Sequence, residues 1–257
     1  MIIASWNINS IRIRTENIKK YLNKINPDVL MFQEIKSEND KFPYDFFKEL
    51  GYKTYVHGQK SYNGVAIISK NELSNIDTTS FKDPLKQSRF ISADIKIKNN
   101  LVKLICIYLP NGNPVNTDKY PYKKKWLVNF VKFIQEQTKK YEAIIIGGDF
   151  NIIPNSNDVD NPEDWENDAL YKLEIRKEFR KVLNFGFKDT FRLFNNKDKE
   201  YTFWDYQQGS WQRNKGLRID HFLITDKLAT KLKNVEIDKF TRGQIKPSDH
   251  APIRITF

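Results

Sequence analysis

Eight polar residues of this chain fall where apolar runs stop: Asn7, Glu34, Tyr108, Asp149, Asn151, Asp220, Asp249 and His250. They are scattered over nearly the whole sequence, and one shared pocket at the edge of stacked sheets would gather them. Their types suit one chemistry. Glu34 supplies the hard oxygen that Mg²⁺ prefers, an ion that usually takes only one or two protein carboxylates beside water and substrate phosphate. His250 can lie beside a phosphate, with one ring nitrogen toward it and the other fixed by a carboxylate such as Asp220. The sequence carries no Cys/His spacing for zinc, no glycine loop ending in Lys-Ser/Thr and no Gly-x-Ser-x-Gly elbow. What remains is metal-assisted hydrolysis of a phosphodiester by water.

The densest of these stretches is AIIIGGDFNIIP, residues 143–154. Residues 143–146 read as a short strand buried on both faces, and Gly147-Gly148 let the backbone turn sharply at its end. If residues 149–151 stay extended, Asp149 and Asn151 point one way and Phe150 the other, which sets a carboxylate beside a carboxamide. The plainer alternative is a Gly-Gly-Asp turn with Asn151 as a second turn former. Glu34 likewise has two readings, a strand-end side chain reaching solvent or a metal ligand. Asn7 and Asn9 repeat the i, i+2 pattern after the first apolar run.

The elements that must position these groups follow from periodicity. Strands are expected over residues 2–6, 29–32, 52–56, 65–69, 90–97 and 101–108, with a hairpin at Asn99-Asn100. Ile18, Tyr21, Leu22 and Ile25 recur at helical spacing, so Thr15 caps a helix that ends before Asn26-Pro27. A short helix over 43–51 carries Phe46, Phe47 and Leu50, a basic helix covers about 122–139, and Leu170 to Leu183 marks another, stopped near Gly186. Residues 155–168 read as an acidic surface loop. The segment from Tyr201 to Lys215 interleaves aromatic and basic side chains, which suits stacking and phosphate neutralisation as well as an ordinary exposed loop. Adjacent strand pairing of this kind points to mixed or antiparallel sheets.

At 257 residues and 39% hydrophobic content, one domain over residues 1–257 is expected. Lys+Arg 43 against Asp+Glu 32 gives a net charge of +11, which favours polyanionic partners, although a drift toward Lys could produce it too. The single Cys106 lies inside an apolar run and reads as an inert core thiol in a reducing compartment. Met1 leads straight into an apolar stretch with no basic leader, and no run approaches 18 apolar residues, so a cytoplasmic protein without membrane contact is expected.

The strings NINSIR, MFQEIK, YLPNG, GDFN, GLRID and SDHAP, in that order from the N-terminus to Pro252, resemble the motifs of exonuclease III-type apurinic/apyrimidinic endonucleases. That resemblance implies an α+β fold of four layers, two mixed β-sheets packed face to face with helices outside. It implies Mg²⁺-dependent incision 5′ to an abasic site, with Mn²⁺ as a substitute, and 3′→5′ exonuclease and 3′-phosphodiesterase activity. The partner would be double-stranded DNA with abasic sites or blocked 3′ ends, and the enzyme a monomer. By the same resemblance Glu34 is the principal metal ligand with Asn7 and Asp249 near it, and Asp149, helped by Asn151, orients or deprotonates the attacking water. His250 paired with Asp220 contacts the scissile phosphate, while Tyr108 and Asn111 hold it or stabilise the leaving oxygen. Phe203, Trp211, Leu217 and Ile219 match the abasic-sugar pocket, and loops 59–63 and 112–120 touch DNA.

Rival readings remain at this level. Phosphoesterases of inositol lipids or sphingomyelin share the catalytic core, but YLPNG and the aromatic stretch 203–211 favour the DNA enzymes. A mainly exonucleolytic relative with weak abasic-site activity is a further alternative. A non-catalytic DNA-binding module would explain the charge, yet Glu34, Asp149, Asp249 and His250 are all intact.

Overall fold

A computed structural model describes residues 1–97 and 100–257. In chain order the strands are β1 (Ile2–Asn7), β2 (Val29–Gln33), β3 (Lys53–His57), β4 (Val65–Ser69), β5 (Ser74–Asp77), β6 (Phe90–Ile97), β7 (Asn100–Tyr108), β8 (Ile144–Asp149), β9 (Phe187–Asp189), β10 (Asp220–Thr225), β11 (Asn234–Ile237) and β12 (Ile253–Thr256). The helices are α1 (Thr15–Ile25), α2 (Tyr44–Glu49), α3 (Lys119–Thr138), α4 (Leu173–Asn184), α5 (Thr190–Phe194) and α6 (Asp226–Ala229). Among the described residues two six-stranded sheets form, ordered β11-β12-β1-β2-β4-β3 and β5-β6-β7-β8-β10-β9.

Each sheet contains one parallel pair, β1 with β2 and β7 with β8, and its other pairs are antiparallel. The four parallel strands end at Asn7, Gln33, Tyr108 and Asp149, so the C-terminal ends within each pair lie side by side. Register then brings the later motifs to the same edge. Asp220 faces Asp149 across the antiparallel β8–β10 pair, and β12 runs antiparallel to β1 so that the residues just before it, Asp249 and His250, lie beside the end of β1.

The layers follow from burial on both strand faces. Ile3, Met31 and Ile67 of one sheet meet Leu104, Ile145 and Phe222 of the other, and these inward side chains form the middle of the sandwich. Outward side chains such as Phe32 and Ile68 are covered by α1 and α2, and Ile105, Ile144 and Ile146 by α3 and α4. Each fully buried Leu, Ile or Phe contributes roughly 1.5–3 kcal/mol. This is the expected four-layer α+β sandwich.

Several local expectations change. Gly147-Gly148 does not turn the chain; both glycines lie inside β8, paired on each side with β7 and β10. A Cβ on Gly148 would overlap the Ile107 carbonyl, and one on Gly147 the Phe222 ring, so the pair permits close approach rather than reversal. Thr15 is the first residue of α1 rather than its cap, the N-cap being Arg14, and Asn26 closes the helix in a left-handed conformation at φ +51°. Helix α3 begins at Lys119, ahead of the expected start, and α4 at Leu173, after it. The elements β5, β9, β11, α5 and α6 are too short for periodicity to single them out and were not expected. Ile97 pairs with Asn100 across β6 and β7, while the Asn99 half of the expected hairpin turn lies outside the described residues. Cys106 is buried against the Gln33 amide, and burial pushes its thiol up to about 12. Among the described residues no helix is long and apolar enough to cross a membrane.

Candidate active site

The strand ends converge on a cavity of about 300 Å³ lined by Glu34, Tyr108, Asn111, Asp149, Asn151, Phe203, Leu217, Ile219, Asp249 and His250. Asn7 and Asp220 stand behind its wall and are tied to the lining side chains. Trp211 is not there. Its ring packs edge-on against Trp204, centroids 4.8 Å apart, in a separate cluster with Tyr201 and Ala251. Trp165, from the segment read as a plain acidic loop, lines the cavity in its place beside Asp168, Leu170 and Asp205.

Asp149 and Asn151 meet as expected but by a different local route. β8 ends at Asp149, and Asn151 adopts φ +48° with its N–H on Asp149 Oδ1 at 2.8 Å, an Asx turn that Asn tolerates well. The Asn151 amide donates to Asp149 Oδ2 (3.1 Å) and to the Leu109 carbonyl (3.0 Å), and its Oδ1 accepts from Asn111 Nδ2 at 3.1 Å. The turn former and the functional neighbour are the same residue. Glu34 also sits at a positive φ, +48°, directly after β2, as does Lys36 at +50°.

Electrostatics divide the cavity into two groups. His250 Nδ1 lies 2.8 Å from Asp220 Oδ2, and Nε2 lies 3.9 Å from Asp149 Oδ2. Burial alone would lower the imidazole, but Asp220, with its hydrogen bond, and then Asp149 and Asp249 raise it to about 10, so it is an imidazolium at neutral pH. Burial, and next the Asp220 charge, hold Asp149 above the usual carboxylate range, against His250 and the Asn7 hydrogen bond. In the second group Glu34 Oε1 accepts from Tyr108 Oη (2.7 Å) and Asn7 Nδ2 (3.0 Å), and Oε2 faces Lys36 Nζ at 3.0 Å. Burial pushes Glu34 upward but is outweighed by Lys36, Asn7 and Tyr108, which keep it below its ordinary value. Tyr108 is driven well above its ordinary value by burial and by Glu34, and stays a neutral phenol that can donate.

Among the described residues, two sets of side chains at this cavity could serve a cation. Asp149, Asp220 and His250 bring one ligand atom each within 4.8 Å of one another. Within it, His250 Nδ1 is already engaged by Asp220 Oδ2 at 2.8 Å, so that ring nitrogen is taken and Nε2 is the one turned toward Asp149. Glu34 and Asp249 offer ionisable oxygens on the cavity wall, a donor set that fits a hard divalent ion. Asn7 donates both its amide hydrogens, to Glu34 and to Asp149 Oδ2 (2.9 Å), so as placed it bridges the two groups, and its Oδ1 accepts from the Asn9 N–H.

Sequence reasoning left several of these partners without a role. Lys36 and Asn9 follow Glu34 and Asn7 at the same i, i+2 spacing, a signal that was present in the sequence. Lys123 occupies the apolar stripe of α3 with Trp126, Leu127 and Phe130, and is fully buried. Its Nζ donates to the carbonyls of Asn111 (2.9 Å) and Asn151 (2.6 Å), joining two loops of the site. Burial lowers it to about 7, although Asp168 and Asp149 push the other way. Asp158 is fully buried between Arg218 and Arg192, so the 155–168 segment is anchored to α5 and to the stretch leading into β10 rather than lying loose on the surface. Arg218 also pairs with Asp189 and donates to His221 Nδ1, leaving His221 Nε2–H for the Ile152 carbonyl.

Residues 4–250 match the family model described as endonuclease/exonuclease/phosphatase family. The chain belongs to this family. It is 34% identical over 268 residues to exodeoxyribonuclease III of Haemophilus influenzae, with all of both chains covered. Among solved structures it resembles the 3′ phosphatase NExo from Neisseria bound to a product DNA hairpin (TM-score 0.93, 34% identity, 100% of this chain and 99% of that one). It resembles an AP endonuclease from Archaeoglobus fulgidus equally well, with TM-score 0.94, 34% identity and the same coverage. End-to-end similarity of this kind makes the chain a nuclease of the DNA-repair type, in a family that is metal-dependent.

Proposed function

We propose that this chain is a Mg²⁺-dependent endonuclease that cleaves the phosphodiester 5′ to an abasic site in double-stranded DNA, with 3′→5′ exonuclease and 3′-phosphodiesterase activity. It would act as a monomeric single domain in the cytoplasm, without membrane contact. The observation that carries this reading is the convergence, on one cavity, of Asp149 and His250 with Glu34 and Asp249, beside an apolar wall of Phe203, Leu217 and Ile219. Bound Mg²⁺, or Mn²⁺ in its place, supplies charge neutralisation at the phosphate and the leaving oxygen. Glu34 and Asp249 would hold it, with Asn7 steering Glu34.

The other roles follow from hydrogen-bond directions. Asp149 accepts the proton of the attacking water; Asn7 and Asn151 keep its carboxylate aimed, and its raised affinity for protons makes it a competent base near neutral pH. His250, held by Asp220, presents Nε2–H to a non-bridging phosphate oxygen and stabilises the charge that develops there. Tyr108, a neutral phenol whose hydrogen rests on Glu34 in the free protein, would turn it toward the phosphate or the departing oxygen when substrate binds, with Asn111 beside it. Loops 59–63 and 112–120 face a common groove of about 600 Å³ that shares Tyr108, Asn111 and Asn113 with the cavity, a path for the duplex. A second reading, chiefly exonuclease and 3′ phosphatase, draws support from the equal similarity to NExo.

A duplex oligonucleotide with one internal tetrahydrofuran abasic analogue, incubated with Mg²⁺ or EDTA, tests both readings. Incision yields one product of defined length, exonuclease action a ladder from the 3′ end, and EDTA abolishes both. A duplex that is bound but uncut with Mg²⁺ would overturn the proposal. A ladder without the incision product would favour the second reading.

A further inference from the structure

Arg14 lies just ahead of α1, is 8% exposed, and takes no part in the roles above. Its Nη1 donates to the Asn9 carbonyl, and its Nη2 donates to Tyr206 Oη (2.9 Å) and the Pro247 carbonyl (3.3 Å). The Tyr206 hydroxyl in turn donates to the same Pro247 oxygen at 2.9 Å. One guanidinium thus spans from the loop after β1 to the loop that carries Asp249. Asn9 and Ser10 hold φ values of +46° and +90°, a backbone that neighbours must sustain. From that position Asn9 Nδ2 donates to Asp249 Oδ1 (3.1 Å), and Asn9 Oδ1 accepts from Lys36 Nζ (2.6 Å), itself paired with Glu34 Oε2. Glu34, Lys36, Asn9 and Asp249 form one chain of contacts, and Arg14 fixes the backbone at its far end.

We propose that Arg14 is a positioning residue for the metal: with Tyr206 it forms a strap that sets the separation of the Glu34 and Asp249 carboxylates. This rests on the assignment of the metal to those two residues. The planar guanidinium is the group suited to the task, because its fork reaches two backbone carbonyls and a hydroxyl at once, whereas a lysine ammonium on a flexible stem is a point donor. Supports of this kind around metal ligands typically govern affinity by about 10–100-fold.

The test is a Mn²⁺ titration of the DNA-free protein, followed by the EPR signal of the free ion. Arg14→Ala should raise the Mn²⁺ Kd about tenfold or more, Arg14→Lys should not restore it, and Tyr206→Phe, which removes the hydroxyl alone, should raise it about two- to tenfold. Duplex affinity in EDTA should stay at the wild-type value in all three. Tyr206 is half exposed, so its variant decides the matter alone if Arg14→Ala does not fold. A wild-type Mn²⁺ Kd in Tyr206→Phe and in any folded Arg14 variant overturns the proposal, as does a loss of duplex affinity in EDTA equal to the loss of metal affinity. Glu34→Gln is the control: if it weakens Mn²⁺ while the strap variants do not, the strap alone is wrong, and if it leaves Mn²⁺ binding intact, the metal assignment beneath it fails.

Discussion

On the proposed phosphate side of the cavity Asn7, Asp149, Asp220 and His250 stand at or near strand ends, are at most 4% exposed and hydrogen-bond in pairs, Asn7 with Asp149 and Asp220 with His250, whereas on the proposed sugar side Trp165, Phe203 and Leu217 lie outside the strands and α-helices. Within the first group, sheet register sets Asp149 between Tyr108 and Asp220, so a one-residue slip of β8 would turn Asp149 away from both neighbours. The second rests on isolated contacts, the Phe203–Leu217 and Phe203–His250 bridges and a Phe203 ring 5.0 Å from the His250 ring. Under the proposed roles, strand ends place most of the chemistry and loops the fit to a particular substrate. Substitutions on the two sides should therefore fail differently.

The largest effect is expected at Asp149. Asp149→Asn removes the proposed proton acceptor and should lower kcat by roughly 10²–10⁴-fold, with no recovery at any Mg²⁺ concentration. Glu34→Gln should instead raise the Mg²⁺ requirement and regain part of its activity at high metal. A Mg²⁺ titration of incision by both variants reads the difference, and the opposite pattern would exchange their roles. Next comes His250→Ala, for which single-turnover cleavage should slow by about 10²–10³-fold while duplex binding in EDTA is unchanged. Equal single-turnover rates would remove His250 from the transition state.

On the sugar side the effect is smaller and selective. Trp165→Ala should reduce the preference for an abasic over an intact duplex by about tenfold, because the lost contact is apolar packing in a pocket. Trp211→Ala should leave that preference alone, since its ring rests on Trp204. Competition assays with the two duplexes separate these outcomes, and a Trp211 effect equal to that of Trp165 would restore the role the sequence suggested.

The smallest signal lies in stability. His250 has a folded pKa near 10, above its unfolded value of about 6.5. Between those values the folded state holds a proton that the unfolded chain has lost, so this contribution is full below about pH 6.5 and disappears as pH rises through about 10. In EDTA the wild-type Tm should fall more steeply from pH 7 to pH 10 than that of His250→Gln. Parallel curves would mean that the Asp220–His250 pair binds no extra proton.

The same contrast explains what could be read from the chain before its fold was known. Strand-end groups announce themselves, because a buried strand is an apolar run and a polar residue at its end is conspicuous; Asn7, Glu34, Asp149 and Asp220 were legible in that way. Gly147-Gly148 was misread because glycine marks turns and close strand approach alike, and only the neighbouring Ile107 and Phe222 decide between them. Trp165 and Trp211 are both aromatics in polar segments, and nothing local says which one a loop will carry to the cavity. Lys123 did leave a signal, a lysine on the apolar face of a helix, but its partners are backbone carbonyls from two distant loops.

The division between register-built chemistry and loop-built fit is tested most directly by measuring kcat/KM for abasic-site incision and for removal of a 3′-phosphate in one set of variants: Asp149→Asn, His250→Ala, Phe203→Ala and Trp165→Ala. Both reactions need the same phosphate chemistry, but only the first needs an extruded abasic sugar to be seated. Asp149→Asn and His250→Ala should depress both rates together and leave their ratio within about threefold of wild type, while Phe203→Ala and Trp165→Ala should shift the ratio about tenfold. A ratio that moves with Asp149 or His250 and stays fixed with Phe203 and Trp165 would contradict that division.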